Sequence, residues 1–476
     1  MGDEAGPSVD KPARRQRADA AHSVERLLEA ATKVLRTDPD ARVDAIAAEA
    51  GVSRATLYRH FESRSDLIAA ARQRSRQMSE ANEVDGLRPP GELAGGPTPL
   101  DVADVLNKVP PHLLGDQIVA EAQRLAGVTS VALYLVDIDG THLLRLAGSE
   151  EFPELMAAPL AVGPELPREG LMSLEQLVAD ELPGTVVSPL FLRGRAIGVL
   201  LATDAPQEPL QELARQAAAS LALANSYTDV FDATRRRKET SAASEIQQNL
   251  LPPRVARIAG GMIAGNVLPG YDVGGDWFDY VENRDGAWIG VADSVGSGTR
   301  AAALGAVSLG AFRAKRRVNA PLAEAALAID ATMRELEIRE AFVNVILARW
   351  HGPSSTFTWI ACGSQGPVLL QADGGVVSLD ETLYTALGRG ASAREFQPSR
   401  RRLLPDERLL LLSDGVLERR KTDGSIFGLE GIRIALSNTA SGAAATVRAI
   451  EDALTAASAD PLEDDATVVV FAPTGQ

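Results

Sequence analysis

Apolar positions along this 476-residue chain change their period several times, and each change predicts a different element. Between residues 43 and 61, Val43, Ile46 and Ala47 share one face of a short helix. Gly51 permits a tight turn, Ser53 suits a helix N-cap, and Leu57 and Phe61, four apart, predict a second helix with an inward face. In DQIVAEAQRLAGVTSVALYLVDIDGTHLLRLAG (116–148) a helix gives way to a strand, a turn at Asp139-Gly140 and another strand. GTVVSPLFLRGRAIGVLLATDA (184–205) predicts two strands around Arg193-Gly194-Arg195. From there Leu210, Leu213, Ala217, Leu221, Ala224, Tyr227 and Phe231 follow at steps of three and four, nearly a heptad. The chain stays helix-compatible until Pro252, which predicts one connecting helix over 209–251, roughly 60 Å long at 1.5 Å per residue. Beyond it, apolar strands with helical inserts run to residue 473, and several strands end in acidic residues.

These patterns divide the chain into a charged tail (1–19), a helical module (20–79), a Gly/Pro-rich linker (80–97), a mixed module (98–226), a connecting helix (227–252) and a strand-rich module (253–473). The expected class is multidomain α+β. Composition is that of a globular protein, 45% hydrophobic and 24% charged. A single cysteine excludes an internal disulfide and a Cys-rich zinc module, and points to a reducing, cytoplasmic setting. No apolar run approaches the length of a membrane span, and no signal-peptide core is visible at the N-terminus, so no membrane partner is expected. The net charge of −16 argues against a chain-wide nucleic-acid surface, yet residues 11–80 hold 14 Lys/Arg against 10 Asp/Glu. A small basic module on an acidic body can still meet DNA.

Within that module the second helix offers Ser53, Arg54, Thr56, Tyr58, Arg59 and His60, donors suited to phosphates and base edges. The run VDAIAAEAGVSRATLYRHFESRSDLI resembles the DNA-binding domain of TetR-type repressors over about residues 20–72. The resemblance implies an all-α helix-turn-helix domain that reads DNA as a dimer. The all-helical ligand domain of that family does not follow. The middle module resembles an α/β GAF sensor domain, whose last hairpin has the character of GRAIGVLLA. That implies an unknown small ligand or a dimer surface; the residues name no ligand, and the module lacks a cysteine for covalent bilin attachment.

The C-terminal chemistry is acidic. GYDVGGDWFDYV (270–281) offers Asp276 and Asp279; AWIGVADSVGSG ends a strand at Asp293; RLLLLSDG ends one at Asp414; and PLEDDATVVV places Asp464 and Asp465 before the last strand. Carboxylates delivered by strand ends make a hard-oxygen metal site. Histidine is confined to His351 in this region, which favours Mg²⁺ or Mn²⁺ over zinc. Two such ions activate a water for attack on phosphorus.

The four motifs, in this order, resemble the metal-dependent (type 2C, PPM) serine/threonine phosphatases, in particular the SpoIIE-like branch, over about 240–473; IQQNLLP (246–252) is that branch's lead-in. The resemblance implies an α-β-β-α sandwich and two Mn²⁺ or Mg²⁺ ions. Asp276 bridges them, Asp293 and the carbonyl of Ser294 bind one each, and Asp414 and Asp464 complete the set, with Asp464 preferred to Asp465. No side chain is assigned as nucleophile; water attacks. Asp279 is expected to be structural and Cys362 an inert buried residue. Two loops depart from the family pattern: Gly296-Ser297-Gly298 replaces Gly-His-Gly, and ACGS (361–364) puts Ser364 where a histidine is usual. The implied activity is dephosphorylation of a regulatory phosphoprotein, such as an anti-anti-sigma factor, under GAF control. In this branch the helices before the catalytic core act as a switch, and the heptad-like face suits a parallel homodimer. The competing reading is a TetR-like transcriptional regulator whose phosphatase-like domain is a weakly active docking module.

Overall fold

The computed structural model describes residues 30, 43–52, 57, 61, 67 and 99–474, apart from 271–273, 381, 390–395, 438 and 440–441. The chain forms two compact units, Met1–Gly96 and Pro97–Gln476. In the first, helix α1 (Val43–Glu49) is followed by Gly51 at φ 63°, and Ile46, Ala47, Ala50, Leu57, Phe61 and Leu67 are buried. The expected inward face of Leu57 and Phe61 is thus present. The expected DNA-contacting residues Ser53, Arg54, Thr56, Tyr58, Arg59 and His60 lie outside the described residues.

The second unit opens with helices α2 (Pro99–Lys108) and α3 (Leu114–Ala126). Strands β1 (Val131–Val136), β2 (His142–Gly148), β3 (Leu155–Ala157), β4 (Thr185–Leu192) and β5 (Arg195–Thr203) form one antiparallel sheet in the order β3-β2-β1-β5-β4. Helix α4 (Arg168–Glu181) contributes Leu171, Leu174 and Val178 to the core on one face. Helices α2, α3 and α5 (Gln207–Ala224) cover the other. Strand β1 is buried at every position because alternate residues enter opposite cores: Ala132, Tyr134 and Val136 one, Val131, Leu133 and Leu135 the other.

The single connecting helix expected over 209–251 is three helices: α5, α6 (Val230–Arg235) and α7 (Ala242–Leu250). The breaks fall where short polar side chains compete for backbone groups. Thr228 Oγ1 accepts the Val230 amide at 3.3 Å, and Ser241 caps α7 by accepting the Ser244 amide at 3.2 Å. The heptad-like face is likewise not a dimer seam. Leu210, Leu213, Ala217, Leu221 and Phe231 are buried against this unit's own sheet, while Tyr227 is 79% exposed.

The rest is a four-layer sandwich. Strands β6 (Val255–Ile258), β7 (Gly261–Leu268), β8 (Trp277–Asn283), β9 (Gly286–Ser294), β10 (Val343–His351), β11 (Thr356–Cys362), β12 (Val368–Leu370), β13 (Val376–Ser378), β14 (Leu383–Tyr384), β15 (Ser399–Arg402), β16 (Arg408–Leu412) and β17 (Ala466–Pro473) form two sheets. One runs β14-β11-β10-β9-β8 with β15 on β11, the other β13-β12-β16-β17-β7-β6. Ile289, Val291, Trp350, Phe357, Leu409, Val469 and Phe471 fill the space between them. Helices α8 (Gly298–Arg317) and α9 (Leu322–Glu335) cover the outer face of the first sheet. Beyond the short helix α10 (Asp414–Leu417), α11 (Gly428–Leu436) and α12 (Ala443–Ala457) cover that of the second. Val469 and Phe471 of β17 face the opposite sheet, and Val468 and Val470 face the helices. Each such fully buried side chain is worth roughly 1.5–3 kcal/mol, and this continuous apolar wall fixes the strand ends that carry the acids.

Candidate metal centre

The acids meet at one rim because two pairs of neighbouring strands end there. The β8–β9 register pairs Trp277 with Ala292, which sets Asp276 and Asp293 on adjoining strands. In the other sheet Leu412 pairs with Val468, and the Ser413 amide donates to the Thr467 carbonyl at 3.1 Å, so Asp414 emerges beside the segment carrying Asp464. Carboxylate oxygens of Asp293, Asp414 and Asp464 lie within 4.8 Å of one another. Close backbone approach is required, and glycines allow it. A Cβ on Gly275 would stand 2.5 Å from the Ala301 carbonyl oxygen, and one on Gly415 2.1 Å from that of Asp465.

Asp276 is buried beneath this trio. Its Oδ2 accepts from Thr467 Oγ1 at 2.5 Å, while Oδ1 is buried without a hydrogen-bond partner. Burial, then the charges of Asp293 and Asp465, hold its carboxyl well above the usual range. Asp293 is raised by burial and by Asp464, against a hydrogen bond from Asn344 Nδ2 at 2.9 Å. Asp414 is pushed up to about 6 by burial, Asp293 and Glu418, and Asp464 to about 6 by burial, Asp414 and Asp465. The charges acting on all four are carboxylates. Oxygen donors converging with an orphaned buried oxygen and mutual repulsion fit a hard divalent cation.

Asp465 does a different job from Asp464. It is buried and accepts from Gln247 Nε2 at 2.5 Å and from the Gly270 amide at 2.8 Å. Gln247 Nε2 also donates to the Asp276 carbonyl at 3.1 Å, so α7 is bonded directly to the floor of the site. Asp279 is removed from the acids' chemistry by ion pairs to Arg313 at 2.9 Å and to Arg316. Ser294 is buried at the end of β9 next to Asp293. Gly296 and Gly298 have φ of 94° and 68° with open space around both, and Ser364 is exposed in the cleft beside Asp293, Asn344 and Asp414. Cys362 is buried, its thiol pushed up to about 12 by burial.

Gln247, Ser413 and Thr467 support the site from within the motifs IQQNLLP, RLLLLSDG and PLEDDATVVV, without having been singled out there, and Asn344 supports it from outside every motif. Thr467 was the most visible of them, a hydroxyl inside the otherwise apolar run ATVVVFA. Ser413 holds the β16–β17 rim by donating to the Asp465 carbonyl at 3.2 Å and accepting the Thr467 amide at 2.8 Å.

A carboxylate cluster on one rim of a four-layer sandwich is a candidate site for divalent cations. Comparison with known proteins agrees: residues 283–473 match the family "Stage II sporulation protein E (SpoIIE)", a span that includes Asp293, Asp414 and Asp464, and the C-terminal region is a SpoIIE-type domain. Residues 27–71 match "Bacterial regulatory proteins, tetR family". The phosphoserine phosphatase RsbU of Bacillus subtilis (strain 168) is 22% identical over 237 residues, 49% of this chain and 70% of RsbU. Among solved structures, the SiaA-PP2C domain of Pseudomonas aeruginosa is 22% identical, with a TM-score of 0.38, covering 44% of this chain and 85% of that one. The RsbU and RsbW domains of Rv1364c from Mycobacterium tuberculosis are 21% identical, with a TM-score of 0.40, covering 46% and 62%.

Proposed function

We propose that the protein is a metal-dependent protein serine/threonine phosphatase. The observation that carries this reading is the convergence of Asp293, Asp414 and Asp464, all within the span that matches the SpoIIE family, with the buried Asp276 beside Asp293 just before that span. Asp276, Asp293, Asp414, Asp464 and the Ser294 carbonyl are the groups to hold two Mn²⁺ or Mg²⁺ ions. Bound there, the ions supply Lewis acidity toward a phosphoryl oxygen and acidify water. Asn344 fixes the orientation of Asp293, Thr467 that of Asp276, and Ser413 ties the strand bearing Asp414 to the segment bearing Asp465.

The substrate class is a phosphoserine or phosphothreonine protein, with a regulatory phosphoprotein such as an anti-anti-sigma factor as the specific reading; RsbU's name, phosphoserine phosphatase, supports the former. The module at 98–226 is read as a GAF-like sensor, supported by its five-stranded sheet with helices on both faces. A second reading, a DNA-binding regulator acting as a homodimer, draws on the tetR-family match at 27–71. The deciding experiment is hydrolysis of a phosphoserine peptide by the full chain with Mn²⁺, with Mg²⁺ and with chelator, beside Asp414→Asn. Metal-dependent turnover lost in the variant is expected. Absence of both turnover and Mn²⁺ binding would leave the DNA-binding reading as the better account.

A further inference from the structure

A second polar constellation lies away from the acidic rim, on the α5 side of the five-stranded sheet. A cavity of about 170 Å³ is bounded by Leu135, Ile197, Leu221 and Phe231 at its apolar end and by Glu165, Arg195, Asn225 and Arg235 at its polar end. Its apolar wall is buried, and exposed Ala222 marks the mouth. For scale, a dry cavity of about 150 Å³ accommodates benzene. The polar end is unbalanced. Arg195 Nε is committed to Glu165 Oε1 at 2.8 Å, and the same carboxylate accepts the Val255 amide at 2.8 Å. Arg235, with its side chain 15% exposed, pairs loosely with half-exposed Asp232 at 3.6 Å and lies within the field of Glu165, while its Nε is buried without a hydrogen-bond partner. Asn225 also lines the cavity, and its Nδ2 can donate to an anion while its buried, unpartnered Oδ1 only accepts.

Among the lining residues two guanidiniums face one carboxylate, and the half-exposed Asp232 that pairs with Arg235 lies outside the lining, so a monoanion matches the lining better than a phosphate dianion or a cation. A planar carboxylate is the group that a guanidinium fork binds in bidentate fashion. The opposite end is apolar, which calls for a small hydrocarbon body behind it. We infer that this cavity is a binding site for a small amphipathic monocarboxylate, its carboxylate on Arg235 and Asn225 and its aromatic or branched body against Leu221, Ile197 and Phe231.

The site is wired toward the acids. Arg235 is the last residue of α6, and its neighbour Arg236 pairs with Glu245 of α7, with Nη2 at 2.9 Å from Oε2. Helix α7 carries Gln247, which holds Asp465 and the Asp276 carbonyl. Glu165 links the opposite wall to β6 through the Val255 amide. An occupant that engages Arg235 therefore acts on the segment that positions α7.

The test is direct binding to the full chain, with benzoate and isovalerate as probes and benzamide and benzylamine as neutral and cationic controls. Titration calorimetry and thermal melts give readouts independent of phosphatase turnover. Benzoate is expected to bind saturably at millimolar concentration and to raise the melting temperature, with both controls weaker by at least about tenfold. Arg235→Gln should weaken benzoate by about tenfold or more, and Leu221→Phe, which fills the apolar end without touching charge, should do the same. Equal binding of benzoate and benzamide, undiminished binding in both variants, or no binding of either acid at millimolar concentration would overturn the inference.

Discussion

At the scale of single residues, adjacent aspartates take opposite parts. Asp464 joins the acidic cluster, whereas Asp465 is a buried acceptor for Gln247 and Gly270. Asp464→Asn should reduce metal-dependent turnover by orders of magnitude while leaving the thermal melt unchanged or raised, because it relieves carboxylate repulsion. Asp465→Asn should lower stability by about 1–3 kcal/mol through lost charge-assisted hydrogen bonds, measurable by denaturant titration. Glu451 gives a pH prediction away from the metal site. It is buried, accepts from Asn266 Nδ2 at 2.7 Å and is pushed up to about 7, chiefly by burial. The folded state therefore holds this proton more tightly than the unfolded chain. Its contribution is fully present below the unfolded carboxyl pKa near 4.3 and is lost as pH rises to about 7. Glu451→Gln should flatten that decline and exceed the parent in stability at pH 8 by up to about 3 kcal/mol, read from denaturant melts across pH 5–8. Asp276, Asp293, Asp414 and Asp464 were legible because each motif ends an apolar strand or sits in a glycine turn. Asn344 was not, since its meaning comes only from the β9–β10 register that sets it opposite Asp293.

At the scale of elements, helical period alone misled over 209–251. Steps of three and four survive the first interruption because α5 and α6 turn their apolar faces to the same core, shared by Leu221 and Phe231, whereas Leu250 of α7 packs against the sandwich. The interruption was written in Asn225-Ser226, Thr228-Asp229 and Thr240-Ser241, side chains that cap and turn more readily than they propagate a helix. Helix α7 is thus a short, separately capped element, and it carries the side chain that reaches the acids. Gln247→Ala should weaken the hold of α7 on Asp465 and the Asp276 carbonyl. The expected outcome is a several-fold rise in the Mn²⁺ concentration for half-maximal turnover, with a smaller change in the rate at saturating metal. An equal loss at every metal concentration would mean that Gln247 does not act through the acids. Gly275→Ala tests the same region by sterics. Its Cβ would stand 2.5 Å from the Ala301 carbonyl and 2.6 Å from Ser294 Cβ, a backbone clash expected to cost at least about 1–3 kcal/mol in a denaturant melt.

At the scale of the whole molecule, the sandwich is built to hold repelling charges together. Two sheets with helices on both outer faces bury an apolar core large enough to force Asp276, Asp293, Asp414 and Asp464 onto one rim, although burial and mutual repulsion raise all four carboxyls. A divalent cation relieves that repulsion only in the folded state, so its binding must appear as stability. Mn²⁺ at one hundred times its dissociation constant should add about 2.7 kcal/mol to the unit Pro97–Gln476, a rise of a few degrees in its melting transition. Excess chelator should reverse the rise. Asp414→Asn should start from an equal or higher metal-free melting temperature, having lost one of the repelling charges, and gain less from Mn²⁺. That crossing of the two effects separates a metal centre from a merely acidic surface, where removing one carboxylate would leave both values almost unchanged.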